Sequence, residues 1–157
     1  MFEAYYKSAI GKIRIRANES YITEVTFTDD FYKMDLLPQH LKECLNQLDE
    51  YFNGKRQKFT VEINPSGTEF QGRVWNELMR IPYGKTISYL ELAKRLGDVK
   101  AIRAVGTANG QNPIAIIIPC HRVIGNDGKL TGYAGGLLKK QWLLEHEGAI
   151  QQKSLFW

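Results

Sequence analysis

The chain has 157 residues, of which 43% are hydrophobic and 24% charged, and a formal net charge of +4. This length and composition suit a globular protein with a real core and exclude a disordered or fibrous chain. Two widely separated cysteines, Cys44 and Cys120, exclude a disulfide framework, and no run of about 18 apolar residues offers a membrane span. The opening "MFEAYYKSAIGKIRIR" lacks a signal-peptide core, so a cytoplasmic protein is expected, or a nuclear one in a eukaryote. Charge is uneven: residues 1–64 carry nine Lys/Arg against ten Asp/Glu, and residues 65–157 carry twelve against seven. A basic second half suits a polyanionic partner, nucleic acid first, although a solvated surface can carry the same modest excess.

The first elements read as a small α+β unit. "FEAYYKS", "GKIRIRA" and "YITEVTFT" are β-like, with Ile13, Ile15 and Ala17 alternating against Arg14 and Arg16. "LPQHLKECLNQLDEYFNG" is helical, with Leu41, Cys44, Leu45, Leu48, Tyr51 and Phe52 in one apolar stripe and Gly54 at the C-terminal end. The stripe makes Cys44 a small core hydrophobe. "QKFTVEIN" predicts a further strand, and "PSG" at 65–67 a boundary.

The second part is mostly helical. Thr68 with Gln71, and Ser88 with Glu91, carry capping-box spacing before apolar helical patterns. A third helix, "VKAIRAVGTANG", follows Gly97-Asp98, so the second and third read as a helix-turn-helix. "IAIIIP" predicts a short buried strand. In "VIGNDGKLTGY", Asp127-Gly128 between apolar pairs predicts a hairpin-type turn. "GLLKKQWLLEHEG" is a last helix ending at Gly148.

Cys120 stands at the end of the apolar run, directly before His121 and Arg122. An unperturbed thiol is mostly protonated at neutral pH, so a nucleophilic cysteine needs access and a base. Pro119 ends a strand, His121 supplies the base, and Glu145 or Glu147 could orient it. The competing reading is a buried core cysteine. Zinc spacing, Walker loops and GxGxxG loops are missing, so neither metal nor cofactor is expected. Arg103 lies among Ala101, Ala104, Gly106 and Ala108. Such a helix can press close to a surface and push its cation in, or pack its alanines on the core with the cation solvated.

"IPCHRVIG", with "GYAGG" and "KKQWLLEHEG" behind it, resembles the O6-alkylguanine-DNA alkyltransferases, the suicide repair proteins also called methylated-DNA–protein-cysteine methyltransferases. The likeness takes in "FQGRVWNELMRIPYGKTISYLELAKRLG" and "AIRAVGTANGQNP", and runs from about Phe70 to Gly148. It implies an α+β fold in two domains. Residues 1–64 would form a β-rich N-terminal scaffold, ribonuclease-H-like in the family. Residues 68–157 would form a mostly helical domain for DNA binding and alkyl transfer, with the helix-turn-helix and a short strand leading to Cys120.

The resemblance also implies roles. Cys120 would accept the alkyl group from O6-alkylguanine, and also from O4-alkylthymine, extruded from double-stranded DNA, once per molecule and without metal or cofactor. Glu147, rather than Glu145, would act through His121 and a water on Cys120. Tyr133 and the backbone N–H of Ala134 would stabilise the leaving purine, and the carbonyls of Cys120 and Val123 would accept from its exocyclic amine. Asn112 would brace the loop before the cysteine. Arg103 would fill the hole left by the flipped nucleotide, and Tyr89 would crowd the target phosphate. Ala104 and Gly106 would let the recognition helix enter the minor groove, with Asn109 and Gly135 in the same DNA- and base-facing set. Alanine at position 134, where some relatives carry serine, implies room for larger alkyl groups. A monomer is expected. The sequence assigns Arg122 no role beyond pairing with an acid or facing DNA. Three rivals share features: an alkyltransferase-like binder, which would replace Cys120, a turnover cysteine hydrolase, and a redox-sensing transcription factor.

Overall fold

Alternation decides the first three elements. The computed structural model describes residues 1–30 and 36–151, and its chain begins with an antiparallel meander of β1 (Phe2–Ser8), β2 (Gly11–Ala17) and β3 (Ile22–Phe27), ordered β1-β2-β3. Ala4, Ile15 and Val25 lie opposite one another on the buried face. Arg14 and Arg16 point the other way and pair with Glu3, Glu24 and Asp30. Helix α1 (Gln39–Phe52) buries Leu41, Cys44, Leu48 and Tyr51. Gly54 ends it with φ of 74°, a left-handed conformation that glycine adopts without strain.

The free edge of β3 is covered by two single-residue bridges, Ile22 to Ile63 and Val25 to Ile114. Unpaired strand edges are a liability, and this one is used to tie the sheet to the second half of the chain. The expected strand in "QKFTVEIN" reduces to that one pairing at Ile63, because the segment meets β3 only there.

Past the boundary, Gly67 lies against Trp75: a Cβ there would sit 2.5 Å from the indole ring. Thr68 and Gln71 form both halves of the capping box that opens α2 (Glu69–Leu78). Ser88 caps α3 (Tyr89–Arg95), but only one half of its box forms, with Glu91 paired instead to Arg95. A 3-10 turn at Val99–Ala101 leads into α4 (Ile102–Gly110), which completes the helix-turn-helix with α3. Trp75 Nε1 donates to the Ala108 carbonyl at 2.9 Å and locks α2 to α4. The short β4 (Ile87–Ser88) and β5 (Val123–Ile124) pair in parallel. The turn at Asp127-Gly128 therefore does form, with Gly125 N donating to the Lys129 carbonyl, but it joins no hairpin because the partner of β5 is β4. Helix α5 (Leu137–His146) closes the chain's described part, with Gly148 just beyond it. One continuous core joins the sheet, α1 and the helices.

The "IAIIIP" run corrects the sequence expectation most. Only Ile114 pairs with a strand; the rest is folded into turns. Ile117 N donates to the Ala115 carbonyl at 2.8 Å around Ile116, whose φ is 72°, and Cys120 N donates to the Ile118 carbonyl at 2.8 Å around Pro119. These are successive γ-turns, the first in the strained form that a β-branched residue rarely adopts. The run is apolar because it is buried, not because it is extended.

Candidate active site

Cys120 begins a 3-10 turn, Cys120–Arg122, that follows the double γ-turn. Asn112 spans that loop: its Oδ1 accepts from Ile114 N at 2.9 Å, and its Nδ2 donates to the Ile118 carbonyl at 2.7 Å. The brace fixes the cysteine backbone without a strand. Cys120 is 6% exposed and borders a cavity of about 100 Å³ whose walls include Phe27, Asn112, Tyr133, Ala134 and Gly135. A Cβ at Gly135 would meet the Phe27 ring at 2.9 Å and Tyr133 at 3.0 Å, so a larger residue there would force these cavity walls to shift.

His121 and Glu147 are buried next to the cysteine in the chain fold, with 2.8 Å between Nε2 and Oε2. Burial raises the Glu147 carboxyl, but bonds and charge from His121 and Arg122 outweigh it and hold it well below the usual carboxylate range. The ionised carboxylate can only accept, so His121 Nε2 carries the hydrogen and Nδ1 keeps its lone pair. Burial also lowers the His121 ring from its usual 6.5, which keeps it neutral at neutral pH. Burial raises the Cys120 thiol, only partly offset by the Asn112 amide and the Lys140 ammonium. The resting pair is thus a thiol beside a neutral imidazole, the state in which a base has a proton to take.

Among the described residues, five buried side-chain atoms lack a hydrogen-bond partner: Arg14 Nε and Glu24 Oε2, which face each other in an ion pair on the sheet, and His121 Nδ1, Tyr133 OH and Asn109 Oδ1 around Cys120. Such groups each cost about 1–3 kcal/mol, and three of them in one neighbourhood fit a site built to meet a ligand.

Arg122 pairs with an acid. Its Nε and Nη2 grip Glu147 at 2.8 and 3.0 Å, and its Nη1 donates to the Ile81 carbonyl at 2.7 Å. It is 7% exposed, so it does not face a partner.

Lys140 and Tyr51 are the residues that sequence reasoning missed. Lys140 is fully buried and donates to the carbonyls of Val123, Thr131 and Gly132 at 2.6, 2.7 and 3.2 Å. Burial pushes it down to about 8. A signal existed: Lys140, Leu143, Leu144 and Glu147 share one helix face at i, i+3, i+4 and i+7, so two charges lie in an apolar stripe. Tyr51 OH donates to Glu147 Oε2 at 2.7 Å, a contact across 96 positions that no local pattern encodes.

A second, open cavity of about 690 Å³ lies along α4, lined by Tyr89, Ile102, Arg103, Gly106, Asn126 and Gly132 among others. Arg103 and Ala104 are exposed on α4, and Tyr89 OH donates to the Thr131 carbonyl at 3.0 Å. Gly106 brings α4 close to the Tyr89 ring. Asn109 corrects the expectation of a DNA-facing residue: it is 2% exposed and its Nδ2 donates to the Cys120 carbonyl at 3.3 Å, because α4 turns that face inward. The Val123 carbonyl already serves Lys140.

The chain is similar to known proteins along its length. Residues 1–65 match the family model described as the ribonuclease-like domain of 6-O-methylguanine DNA methyltransferase. Residues 69–149 match the DNA binding domain of the same methyltransferase. A methylated-DNA–protein-cysteine methyltransferase of Methanosarcina acetivorans is 47% identical over 155 residues, covering 95% of this chain and 99% of that protein. Another, from Mycobacterium leprae, is 48% identical over 145 residues, with 89% and 88% covered. The crystal structure of Mycobacterium tuberculosis OGT in complex with DNA superposes with a TM-score of 0.85 at 44% identity, covering 95% of this chain and 94% of that one.

Proposed function

Because the chain belongs to the methylated-DNA–protein-cysteine methyltransferase family, we propose that its DNA-repair alkyl transfer ends on Cys120, in one irreversible event per molecule. The observation that carries this reading is Cys120 on the wall of a small cavity, beside a His121 fixed by Glu147.

In the proposed step His121 Nδ1 takes the Cys120 proton, directly or through one water. The sulfur attacks the O6-alkyl carbon; the S–C bond forms as the C–O bond breaks. The bonding pair passes to the purine, and charge develops on O6, where the Tyr133 hydroxyl and the Ala134 N–H donate. Burial raises the Tyr133 phenol well above its usual range, so it stays a donor. The proton held by His121 balances the one the purine regains, so thiol and O6-alkylguanine give thioether and guanine. The thioether has no good leaving group. Cys44, the other cysteine, is fully buried in the α1 stripe and pushed up to about 12 by burial, which keeps it out of the chemistry.

A base stacked in a duplex cannot enter the small cavity, so the target is extruded. Exposed Arg103 and Ala104, with Gly106 and Tyr89 along the open cleft, form the proposed DNA face, on which Arg103 occupies the emptied stack. Asn112 braces the acceptor loop, and the cavity walls at Ala134 and Gly135 meet the base. O4-alkylthymine offers the same O-alkyl bond and belongs to the proposed substrate class. The working unit is a monomer of two domains, residues 1–64 and 68–157.

The test is a duplex with radiolabelled O6-methylguanine in excess. Label on protein should stop at one equivalent per chain and vanish in Cys120→Ser. Label release beyond one equivalent would overturn the reading.

A further inference from the structure

Tyr51 is the last buried residue of α1, in the strand-rich part of the chain, and is fully shielded from solvent. Its hydroxyl meets Glu147 Oε2 at 2.7 Å, the same oxygen that takes His121 Nε2 at 2.8 Å and Arg122 Nη2 at 3.0 Å. A carboxylate oxygen offers about two lone-pair sites, so the three donors compete. Tyr51 is also held from behind. Its carbonyl accepts from His146 Nε2 at 2.6 Å, and its ring packs against Phe52, Phe59, Tyr83 and His146 with centroids 5.1–6.3 Å away. A buried phenol needs only one acceptor, and any carbonyl would serve for stability. This one is spent on the acid that orients the base.

We propose that Tyr51 is a positioning residue for alkyl transfer: by occupying Glu147 Oε2 it limits how strongly that carboxylate draws on His121, and so sets the proton affinity of the base for Cys120. The inference rests on the Glu147–His121–Cys120 network proposed above. Among the described residues, the other charged or titratable groups facing the network are Arg122, Tyr83, Lys140, Tyr133 and, at Cys120, Tyr89, with His146 packed on the Tyr51 ring. Arg122 neutralises Glu147 by gripping both of its oxygens and Lys140 is saturated by carbonyls, so the Tyr51 hydroxyl is the contact that substitution can remove without adding or deleting a charge.

Tyr51→Phe keeps the ring and removes the hydroxyl. Glu147 then becomes a stronger acceptor, imidazolium is stabilised, and His121 stays protonated to higher pH. The acid limb of the single-turnover rate profile should move up by about one pH unit, the tenfold change that losing a charged hydrogen bond implies. The His121 ring should titrate higher by the same amount in NMR. Phe59→Leu, which loosens the same aromatic cluster but leaves the hydroxyl, should lower Tm without moving the limb. An unmoved limb and ring titration in folded Tyr51→Phe, with Glu147→Gln slowed, would overturn this inference alone. A Glu147→Gln as fast as the parent would overturn it together with the network.

Discussion

The strand-rich part and the helical part meet at the Cys120 cavity and give it different things. The helical part supplies Cys120 and Tyr133 to the cavity wall and the hydrogen-bonded His121–Glu147 pair next to the cysteine. The strand-rich part supplies wall and support, through Phe27 at the end of β3 and Tyr51 at the end of α1. Their ion pairs differ as well. Arg14 and Arg16 reach their acids on a partly solvated sheet face, whereas Arg122 grips Glu147 out of water. The same residue types thus decorate one part and sustain the other, and the dielectric around them makes the difference.

The two environments separate most strongly when one arginine is removed from each part. Arg122→Met leaves a buried carboxylate without its fork and should cost about 3–5 kcal/mol by denaturant unfolding. Arg16→Met, at a pair with side chains 33% and 25% exposed, should cost under about 1 kcal/mol. Equal losses would show that the two environments do not differ as described.

Next in size is the shape of the cavity, walled by both parts. Phe27→Ala removes the ring that meets Tyr133 edge-on, at a centroid distance of 6.3 Å. It should raise the rate on O6-benzyl relative to O6-methyl substrates by about tenfold, the discrimination that a modest change of pocket size supports. Ala134→Ser, elsewhere on the same cavity wall, should lower the same ratio. A ratio unchanged in both variants would remove Phe27 and Ala134 from the specificity wall.

The smallest expected effect is the pH dependence of stability. The folded His121 ring titrates below 6.5, so below that pH the unfolded chain binds more protons and stability falls. Glu147 is depressed too; its contribution is complete above 4.5 and is lost as pH drops further. Tm should therefore decline from pH 6.5 to 5, and His121→Asn should flatten that interval. Identical slopes in parent and variant would place the acid sensitivity elsewhere.

Legibility ran opposite ways in the two parts. The meander and α1 could be read from alternation and the 3.6-residue stripe, yet nothing in "LDEYF" marks Tyr51 as reaching Glu147, 96 positions away. Around Cys120 the pattern "PCHR" points to chemistry, while the apolar run before it misleads about conformation, because burial rather than strand pairing explains Ile116, Ile117 and Ile118. Asn109 misled similarly, since a polar residue on the second helix of a helix-turn-helix reads as outward-facing until α2 and the Cys120 turn are packed beneath it.

Neighbours a few positions apart encode the strands, the helix stripes, the Thr68–Gln71 box, the glycine at the end of α1 and the Cys120-His121 pair. Periodicity and capping are local, so the chain states them directly. Long-range packing brings Arg122, His121 and Tyr51 onto one carboxylate, buries Lys140 against three carbonyls and turns the loop before Cys120 twice. Those choices rest on contacts between residues far apart in sequence and on the need to satisfy buried charge, which no local pattern can express.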